Sequence, residues 1–369
     1  MAQLVGRIRR LGLSVAPQKT EVVWFAGPRV RGPTRGAQLA VEGVRVPIGT
    51  QMKYLGLILD SRWSFVPHFL RMVPRVRVVS ASVGRLMPNL GGPGGGARRL
   101  YLSVVRSMAL YGAPVWYTDM LARRRVRDFL QSSQRGLVVR AARGYRTIAT
   151  RAAMLVAGEL PWELEARIYA HAYVEKRARL RVPGAPWTPK EQEVWRLQMR
   201  RRAVEDWGES LALDGPGSRV VGAIKPVLLE WMGRRRFGSL TYRLGQVLTG
   251  HGCFGEFLHR IGREPTSVCH HCGALMDSAD HTLLECPAWD ADRRVLIEAL
   301  AINQADFSLE SMVRAMLEGE EPWAAALSFC ESVISQKESE ERRRESAPNA
   351  DPCRRKKPGR RARAFARAL

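Results

Sequence analysis

The chain has 369 residues, of which 46% are hydrophobic, so it is long enough for two or three domains with apolar cores. Its net charge of +24 favours a polyanionic partner, most simply nucleic acid, although an Arg-rich protein without such a partner is the alternative. No run of eighteen apolar residues occurs, and residues 1–11 lack the apolar stretch of a signal peptide. We therefore predict an intracellular protein with reduced cysteines and no membrane span.

The first 64 residues predict a small β-rich region. An amphipathic helix is predicted at residues 1–11. Short strands are predicted at residues 22–25, 39–41, 44–47 and 54–60. Glu42 and Gly43 suit a two-residue hairpin turn between the second and third of these strands. Because so few strands cannot cover a sheet, we expect the domain to begin upstream of Met1.

From residue 65 onward, apolar residues recur at helical spacing, which predicts a mainly α-helical region. Helices are predicted at residues 66–87, 98–111, 123–144, 151–157, 160–181, 190–207, 227–232, 239–249, 291–300, 309–317 and 323–337. The composition after residue 338 predicts disorder. The whole is therefore an α+β fold with consecutive parts at 1–64, 65–182 and 190–337, followed by a basic tail at 338–369.

The most specific motif lies at residues 269–286, where three cysteines and a histidine are separated by two, eight and four residues. Cys269, Cys272, His281 and Cys286 are the ligand types of a tetrahedral Cys₃His zinc site. A closed site with four protein ligands has no open position for substrate, so we predict structural Zn²⁺. The alternative is a set of buried thiols with a surface histidine.

Two features refine this motif. Gly273 permits a tight turn after the first cysteine pair, and the following T-L-L-E at residues 282–285 predicts one helical turn between the second pair. His270 and His271 lie between the first two cysteines, and either of them could replace one of the four ligands.

Short motifs occur in a fixed order along the chain. They are L-G-L at 11–13, K-T-E at 19–21, Y-L-G at 54–56, L-D at 59–60, Y-G-A-P-V-W at 111–116 and L-T-G-H-G at 248–252, followed by the Cys-Cys-His-Cys cluster. This series resembles the reverse transcriptase of non-LTR retrotransposons, and most closely that of the type-1 elements that insert into insect ribosomal RNA genes. The resemblance extends over roughly residues 4 to 300.

The resemblance implies an RNA-directed DNA polymerase by family, with an endonuclease elsewhere in the full polyprotein. It places Lys19 in the palm, after the catalytic loop. It places Tyr54, Leu55 and Gly56 in the primer-grip hairpin, whose backbone would hold the primer 3′ end. Residues 65–116 would then form the thumb, which contacts the template–primer backbone. The 1–64 part is accordingly predicted to be the end of a palm.

One departure from the family concerns catalysis. The family's catalytic residues are a pair of adjacent aspartates and an earlier aspartate, which hold two Mg²⁺ ions. This sequence contains no adjacent pair of aspartates, so we assign no catalytic residue and expect Mg²⁺ only in a part outside this chain. We expect a carboxy-terminal polyprotein fragment that does not polymerise alone.

The resemblance also implies partners. In the full polyprotein the chain would help to position element RNA and target DNA for target-primed reverse transcription. The alternative is a non-catalytic, zinc-dependent nucleic-acid-binding protein derived from a decayed or co-opted element. The sequence makes no prediction of oligomeric state.

Arginine triplets are the candidate nucleic-acid contacts outside the motifs. They are Arg123, Arg124 and Arg125; Arg200, Arg201 and Arg202; and Arg234, Arg235 and Arg236. Trp116, Trp207 and Trp231 lie near them and could stack on bases while guanidinium groups bind phosphates. A solvated helix face explains any single triplet equally well. The basic stretch 354–361 suits nuclear import or nucleic-acid binding, so a nuclear location is predicted.

Overall fold

The computed structural model describes residues 2–25, 32–34, 36–181, 187–234 and 238–354. The chain forms two compact units from interleaved segments. Unit 1 contains Met1–Ser80, Val105–Gln134 and Trp162–Arg196, and unit 2 contains Ala81–Val104, Arg135–Pro161 and Leu197–Leu369. This division differs from the consecutive parts that the sequence predicts, because single helices contribute to both units.

Short strands occupy the beginning of unit 1. They are β1 Val22–Val23, β2 Gln38–Val41, β3 Val44–Gly49, β4 Gln51–Tyr54 and β5 Leu57–Asp60. Strand β3 pairs in parallel with β1 and antiparallel with β2. Glu42 and Gly43 join β2 to β3 with φ of 48° and 82°, which is typical of the two-residue turn that matches strand twist. The predicted hairpin is confirmed.

The single strand predicted at residues 54–60 is wrong. Strands β4 and β5 form an antiparallel hairpin whose turn is Leu55 and Gly56, with φ of 45° and 86°. The Tyr111 hydroxyl donates a hydrogen bond of 2.8 Å to the Leu55 carbonyl, and a Cβ at position 56 would lie 3.2 Å from the Tyr111 ring. Glycine has no Cβ and adopts a positive φ readily, so Gly56 allows a turn in the middle of this apolar run.

Helices make up most of the described chain, so a mainly helical fold with few strands is confirmed. They are α1 Ala2–Arg10, α2 Val66–Arg85, α3 Gly95–Ala109, α4 Ala113–Leu121, α5 Arg124–Ala141, α6 Thr150–Ala157, α7 Trp162–Arg179, α8 Pro189–Ser210, α9 Ser218–Ile224, α10 Leu228–Gly233, α11 Tyr242–Thr249, α12 Gly255–Arg260, α13 Asp290–Ala299, α14 Leu309–Met316 and α15 Glu320–Ser346. The sequence does not predict α4, α9 and α12. None of the helices in the described ranges has the length and apolar character needed to cross a membrane.

The core of unit 2 forms around the long helix α15. Helices α11, α13 and α14 pack against it, and Phe329, Val333 and Ile334 are buried on its inner face. Trp231 is fully buried, and its Nε1 donates a hydrogen bond of 2.7 Å to the Leu155 carbonyl. Helix α15 thus organises the unit that holds the cysteine cluster.

The disorder predicted from residue 338 is wrong for the described part of that segment. Helix α15 continues to Ser346 because its charged side chains have partners within unit 2. Glu338 pairs with Arg243 at 2.9 Å, and Arg344 pairs with the buried Glu264 at 3.4 Å. Arg354, which follows the helix, also pairs with Glu264, at 2.6 Å. Residues 355–369 lie outside the described residues.

Asp60 connects strand β5 to helix α2. Its buried carboxylate accepts hydrogen bonds from the backbone N–H groups of Ser64, at 2.9 Å, and Phe65, at 2.7 Å. The Ser64 hydroxyl donates a third bond of 3.0 Å to the same carboxylate. The L-D pair at 59–60 is therefore explained locally, since an ionised acceptor satisfies the free N–H groups where a helix begins.

We expect Asp60→Ala to destabilise unit 1 by about 2–3 kcal/mol, because these donors lose a charged acceptor in a buried position. Amide hydrogen exchange of peptides from α2 would measure the loss. Asp128→Ala is the control, because the Asp128 carboxylate is exposed and pairs only at 3.9 Å with exposed Arg124. Equal effects of the two substitutions would contradict the capping role of Asp60.

Candidate metal centre

The first half of the cysteine motif is a tight turn. The Cys269 N–H donates to the Ala274 carbonyl at 2.8 Å, and the Gly273 N–H donates to the Cys269 carbonyl at 2.8 Å. Gly273 has a φ of 80°, a left-handed conformation that favours glycine. The turn places the sulfur atoms of Cys269 and Cys272 beside each other, as the sequence predicts for a Cys-x-x-Cys turn.

The second half is a single π-helical turn at His281–Glu285. The Cys286 N–H donates to the His281 carbonyl at 2.7 Å and closes this wider turn. Because the turn joins residues five apart, it returns Cys286 to the side of His281. The sequence predicts a helical turn here but not its width.

The four ligand atoms of Cys269, Cys272, His281 and Cys286 all lie within 4.8 Å of one another. The Sγ atoms of Cys269 and Cys286 are 3.9 Å apart, and Cys272 Sγ is 3.2 Å from His281 Nε2. Zn–S bonds of about 2.3 Å in a tetrahedron would put two sulfurs about 3.8 Å apart. The donor set therefore fits a tetrahedral metal ion.

Neighbouring groups favour this ligand set. His281 Nδ1 lies 3.5 Å from a Glu285 carboxylate oxygen, an arrangement that leaves Nε2 for a metal. Burial raises the pKa of the Cys286 thiol to about 12, and a metal ion bound at this position would favour the thiolate instead. His270 Nε2 lies 3.7 Å from Glu264, and the His271 ring lies 4.7 Å from that of Trp289. These two imidazoles have other partners, and the structure gathers His281 instead.

A buried ion pair between Lys337 and Asp277 stabilises the segment that carries the motif. Lys337 Nζ lies 2.7 and 2.9 Å from the two carboxylate oxygens of Asp277, and the two side chains are only 2% and 5% exposed. Asp277 also accepts hydrogen bonds from the Gly255 N–H, at 2.8 Å, and the Thr282 hydroxyl, at 3.2 Å. This network joins α12 and α15 to the segment between the ligand pairs. Sequence reasoning missed it, because Lys337 lies 60 residues away.

The residues predicted to contact nucleic acid in the palm part lie at the surface of unit 1. Lys19 is exposed in a 3₁₀ turn at Pro17–Lys19. Tyr54 and Leu55 are 55% and 74% exposed at the β4–β5 turn, and Gly56 completes that turn. Their role as a primer grip stays a prediction.

The first two arginine triplets lie near or within helices. In unit 1, Arg123 is half-buried beside exposed Arg124 and Arg125, and Arg125 lies over the Phe129 ring at 5.5 Å. On α8, Arg201 pairs with Glu205 at 3.0 Å, Arg202 is exposed and Arg200 is half-buried. The nucleic-acid role of these residues stays a prediction.

Arg234, the first residue of the third triplet, contacts groups within unit 2, and the nucleic-acid role of the triplet stays a prediction. Arg234 donates hydrogen bonds to the carbonyls of Trp231 and Val156, and its guanidinium lies 3.9 Å from the centre of the Trp231 ring. Burial lowers its pKa to about 9. These contacts give Arg234 a structural role within unit 2. Arg235 and Arg236 lie outside the described residues.

The proposed stacking of Trp116, Trp207 and Trp231 on bases is wrong. Their side chains are 0%, 6% and 0% exposed, so none offers a ring face to a base. Each is a core residue, as large aromatic side chains usually are. The sequence places these tryptophans near basic residues but does not show that they point inward.

Comparison with known proteins finds relatives among retrotransposon proteins. A Retrovirus-related Pol polyprotein from type-1 retrotransposable element R1 of Bradysia coprophila is 27% identical over 292 residues, which is 76% of this chain and 28% of that protein. A putative 115 kDa protein in type-1 retrotransposable element R1DM of Drosophila melanogaster is 27% identical over 309 residues, or 80% of this chain and 29% of that protein.

A third relative matches along most of its own length. The Retrovirus-related Pol polyprotein from type-1 retrotransposable element R1 4 of Nasonia vitripennis is 25% identical over 324 residues, which is 80% of this chain and 78% of that protein. No protein-family model and no solved structure matches the chain. The chain spans less than a third of the first two relatives. The resemblance predicted from the motifs is confirmed: this chain is similar to the Pol polyproteins of type-1 R1 retrotransposable elements.

Proposed function

We propose that this chain is a nucleic-acid-binding part of the Pol polyprotein of a type-1 retrotransposable element. The observation that carries the proposal is the similarity to R1 Pol polyproteins over 76% of the chain. In the full polyprotein it would hold element RNA and target DNA during target-primed reverse transcription. The excess of positive charge supports this role, because phosphate neutralisation supplies much of the affinity for nucleic acids.

Within this proposal, unit 1 carries the end of the palm and part of the thumb. The exposed β4–β5 turn at Leu55 and Gly56 is a hairpin, which is the shape expected of a primer grip. The sequence contains no adjacent pair of aspartates, so we propose that the chain alone does not transfer nucleotides and that Mg²⁺ acts in another part of the polyprotein.

The metal centre of unit 2 has a structural role in this proposal. We assign Zn²⁺ to it, because three thiolates and one imidazole in a closed tetrahedral set are the donors that zinc prefers. The ion would hold the segment 269–286 in shape. The basic stretch 354–361 would serve nuclear import or additional phosphate contacts, although residues 355–361 lie outside the described residues.

Fluorescence anisotropy of the full chain with a labelled 20-nucleotide single-stranded RNA would test nucleic-acid binding. We expect the Kd to rise about 50-fold between 50 and 200 mM salt if four phosphates are neutralised, because each contact releases counterions. Affinity that does not change with salt, or the absence of binding at 50 mM salt, would contradict the proposal.

The double substitution Arg201→Gln and Arg202→Gln locates part of the surface. We expect the slope of log Kd against log salt concentration to fall by about one to two, since each lost phosphate contact lowers this slope by about one. The double substitution Arg294→Gln and Arg314→Gln is the control, because it removes the same charge from exposed positions of unit 2 on α13 and α14. If both pairs of substitutions lower this slope equally, α8 is not a specific part of the binding surface.

A further inference from the structure

A cavity of about 650 Å³ lies within unit 2, beside the L-T-G-H-G motif, for which the proposed function gives no role. Residues 147–152, 215–219, 249–251, 256–261 and 278–280 contribute to its lining. Cavities of this size are typical of ligand-binding clefts.

The two glycines of the motif fix one wall. Gly250 ends α11 with a φ of 68°, and its N–H donates to the Gln246 carbonyl at 2.9 Å. A Cβ at Gly252 would lie 2.1 Å from Gln246 Oε1, so only glycine allows the chain to pass this side chain. Gln246 is held in turn by Glu338, to which its Nε2 donates at 2.8 Å. The backbone on both sides of His251 therefore follows a path that requires glycine, and this path fixes the position of His251.

His251 lines the cavity with its aromatic ring. Its ring is stacked on that of Phe257, with centroids 4.7 Å apart and planes at 27°, and its Nδ1 lies 3.1 Å from the Thr147 hydroxyl. Burial and the nearby Arg260 lower the pKa of His251 to about 4, so the imidazole is neutral at pH 7. The His251 ring therefore presents a ligand with an uncharged aromatic surface and ring nitrogens that form hydrogen bonds.

Arg151 holds the segment at residues 215–219, which also lines the cavity. Its guanidinium donates to the carbonyls of Pro216, at 2.7 Å, and Ala212, at 3.3 Å, and also to that of Asp214. These bonds fasten the loop before α9 against α6. The wall therefore does not need a ligand to form, and a preorganised site loses less entropy on binding.

The cavity lining contains two arginines, Arg219 and Arg260, and two carboxylates, Glu256 and Asp280. Arg219 pairs with Asp280 through Nη1 and donates from Nε to the Val247 carbonyl at 3.2 Å. Its Nη2 is buried and has no hydrogen-bond partner among the described residues. Arg260 is exposed at the rim, with its guanidinium 5.3 Å from the centre of the Phe257 ring. Arg219 is therefore committed to protein partners, and Arg260 is the lining arginine whose exposed guanidinium is open to a phosphate.

We propose that this cavity receives one nucleotide of a single-stranded nucleic acid, with its phosphate bound by Arg260 and its base against His251. A concave site that pairs an aromatic face with a guanidinium group matches the base and phosphate of a splayed nucleotide. Bases in a duplex are stacked on one another and cannot enter such a cavity. The inference rests on the proposed function and assigns it a specific site.

The test compares Arg260→Gln with Arg294→Gln in the metal-loaded full chain. Both substitutions remove one positive charge from an exposed arginine of unit 2, but only Arg260 lines the cavity. Anisotropy is measured with single-stranded RNA, single-stranded DNA and duplex DNA of 20 nucleotides. We expect Arg260→Gln to weaken binding of at least one single strand about five- to tenfold, and Arg294→Gln to change it less than twofold. A loss on RNA alone or DNA alone supports the site and identifies the sugar it accepts.

Photocrosslinking with an RNA that contains 4-thiouridine gives an independent readout. We expect a crosslink in the tryptic peptide of residues 244–260, which contains His251, and its loss when His251 is replaced by Ala. The proposal would be overturned if Arg260→Gln and Arg294→Gln weakened binding equally, or if Arg260→Gln weakened the binding of duplex DNA as much as that of single strands. Crosslinks found only outside residues 244–260 would also overturn it. If the unchanged protein binds none of the three probes at 50 mM salt, the proposed function fails as well. Salt-dependent binding without an effect at Arg260 overturns this inference alone.

Discussion

Replacing Cys269 by Ser should release the metal ion and unfold the segment around residues 253–289. The substitution removes one of four donors from a cluster in which each donor lies within 4.8 Å of the others. Structural zinc sites contribute on the order of 10 kcal/mol in zinc-finger peptides, which is comparable with the whole stability of a domain. We therefore expect metal content to fall from one ion per chain to nearly none.

Metal analysis and amide hydrogen exchange measure the two parts of this result. Protection should be lost in peptides from α12 and from residues 267–289, while α4 and α7 of unit 1 keep theirs. Cys353→Ser is the matched control, because Cys353 lies outside the cluster and should change neither quantity. Retention of the ion in the Cys269→Ser variant would show that the four donors do not act together. Removal of metal by a chelator should reproduce the effect of Cys269→Ser.

Replacing Lys337 by Met should destabilise unit 2 by about 3–5 kcal/mol, the usual cost of leaving one partner of a buried ion pair alone. The side chains of Lys337 and Asp277 are almost fully buried, so water cannot take the place of the lost ammonium group. The free energy of local opening in α12 and α15, measured by hydrogen exchange, gives the effect. Arg314→Met is the control, because its exposed pair with Glu310 is expected to contribute less than about 0.5 kcal/mol.

A double substitution separates charge from packing. Lys337→Met combined with Asp277→Asn removes both charges, so the combined loss should be smaller than the sum of the two single losses. Additive losses would instead mean that the two residues stabilise the unit independently. Because Asp277 also accepts hydrogen bonds from Gly255 and Thr282, the double variant should remain less stable than the unchanged protein.

The parts of this molecule that sequence predicts well depend on neighbours along the chain. The ligands at 269–286 are close in sequence, and a hairpin at Glu42 and Gly43 needs only a two-residue turn, so spacing alone indicates both. The sequence predicts a helix that ends at residue 111 and does not predict helix α4, because a proline such as Pro114 is typical of a helix end. In the structure Pro114 lies in the first turn of α4, where its missing N–H costs nothing.

The parts that sequence does not predict depend on distant residues. Helix α15 continues beyond residue 338 because Arg243 and Glu264 provide partners for its charges, and neither is near in sequence. The inward orientation of Trp116 and Trp231 follows from packing that no local pattern reveals. The cavity beside His251 is lined by five separate segments of the chain, so the sequence carries no signal for it beyond the two glycines of its motif.

The ion pair of Lys337 with Asp277 has a consequence for the order in which the chain folds as it is made. The two residues are 60 positions apart, so at about 5–20 residues per second the lysine follows the aspartate by about 3–12 seconds. The metal ligands Cys269 and Cys286 are separated by only 17 positions, so the cluster can collect its ion within that interval. Metal binding would then fix Asp277 before its cation is synthesised. The cluster would then be complete before the whole of helix α15 has been synthesised, and the helix would pack against a segment that is already ordered.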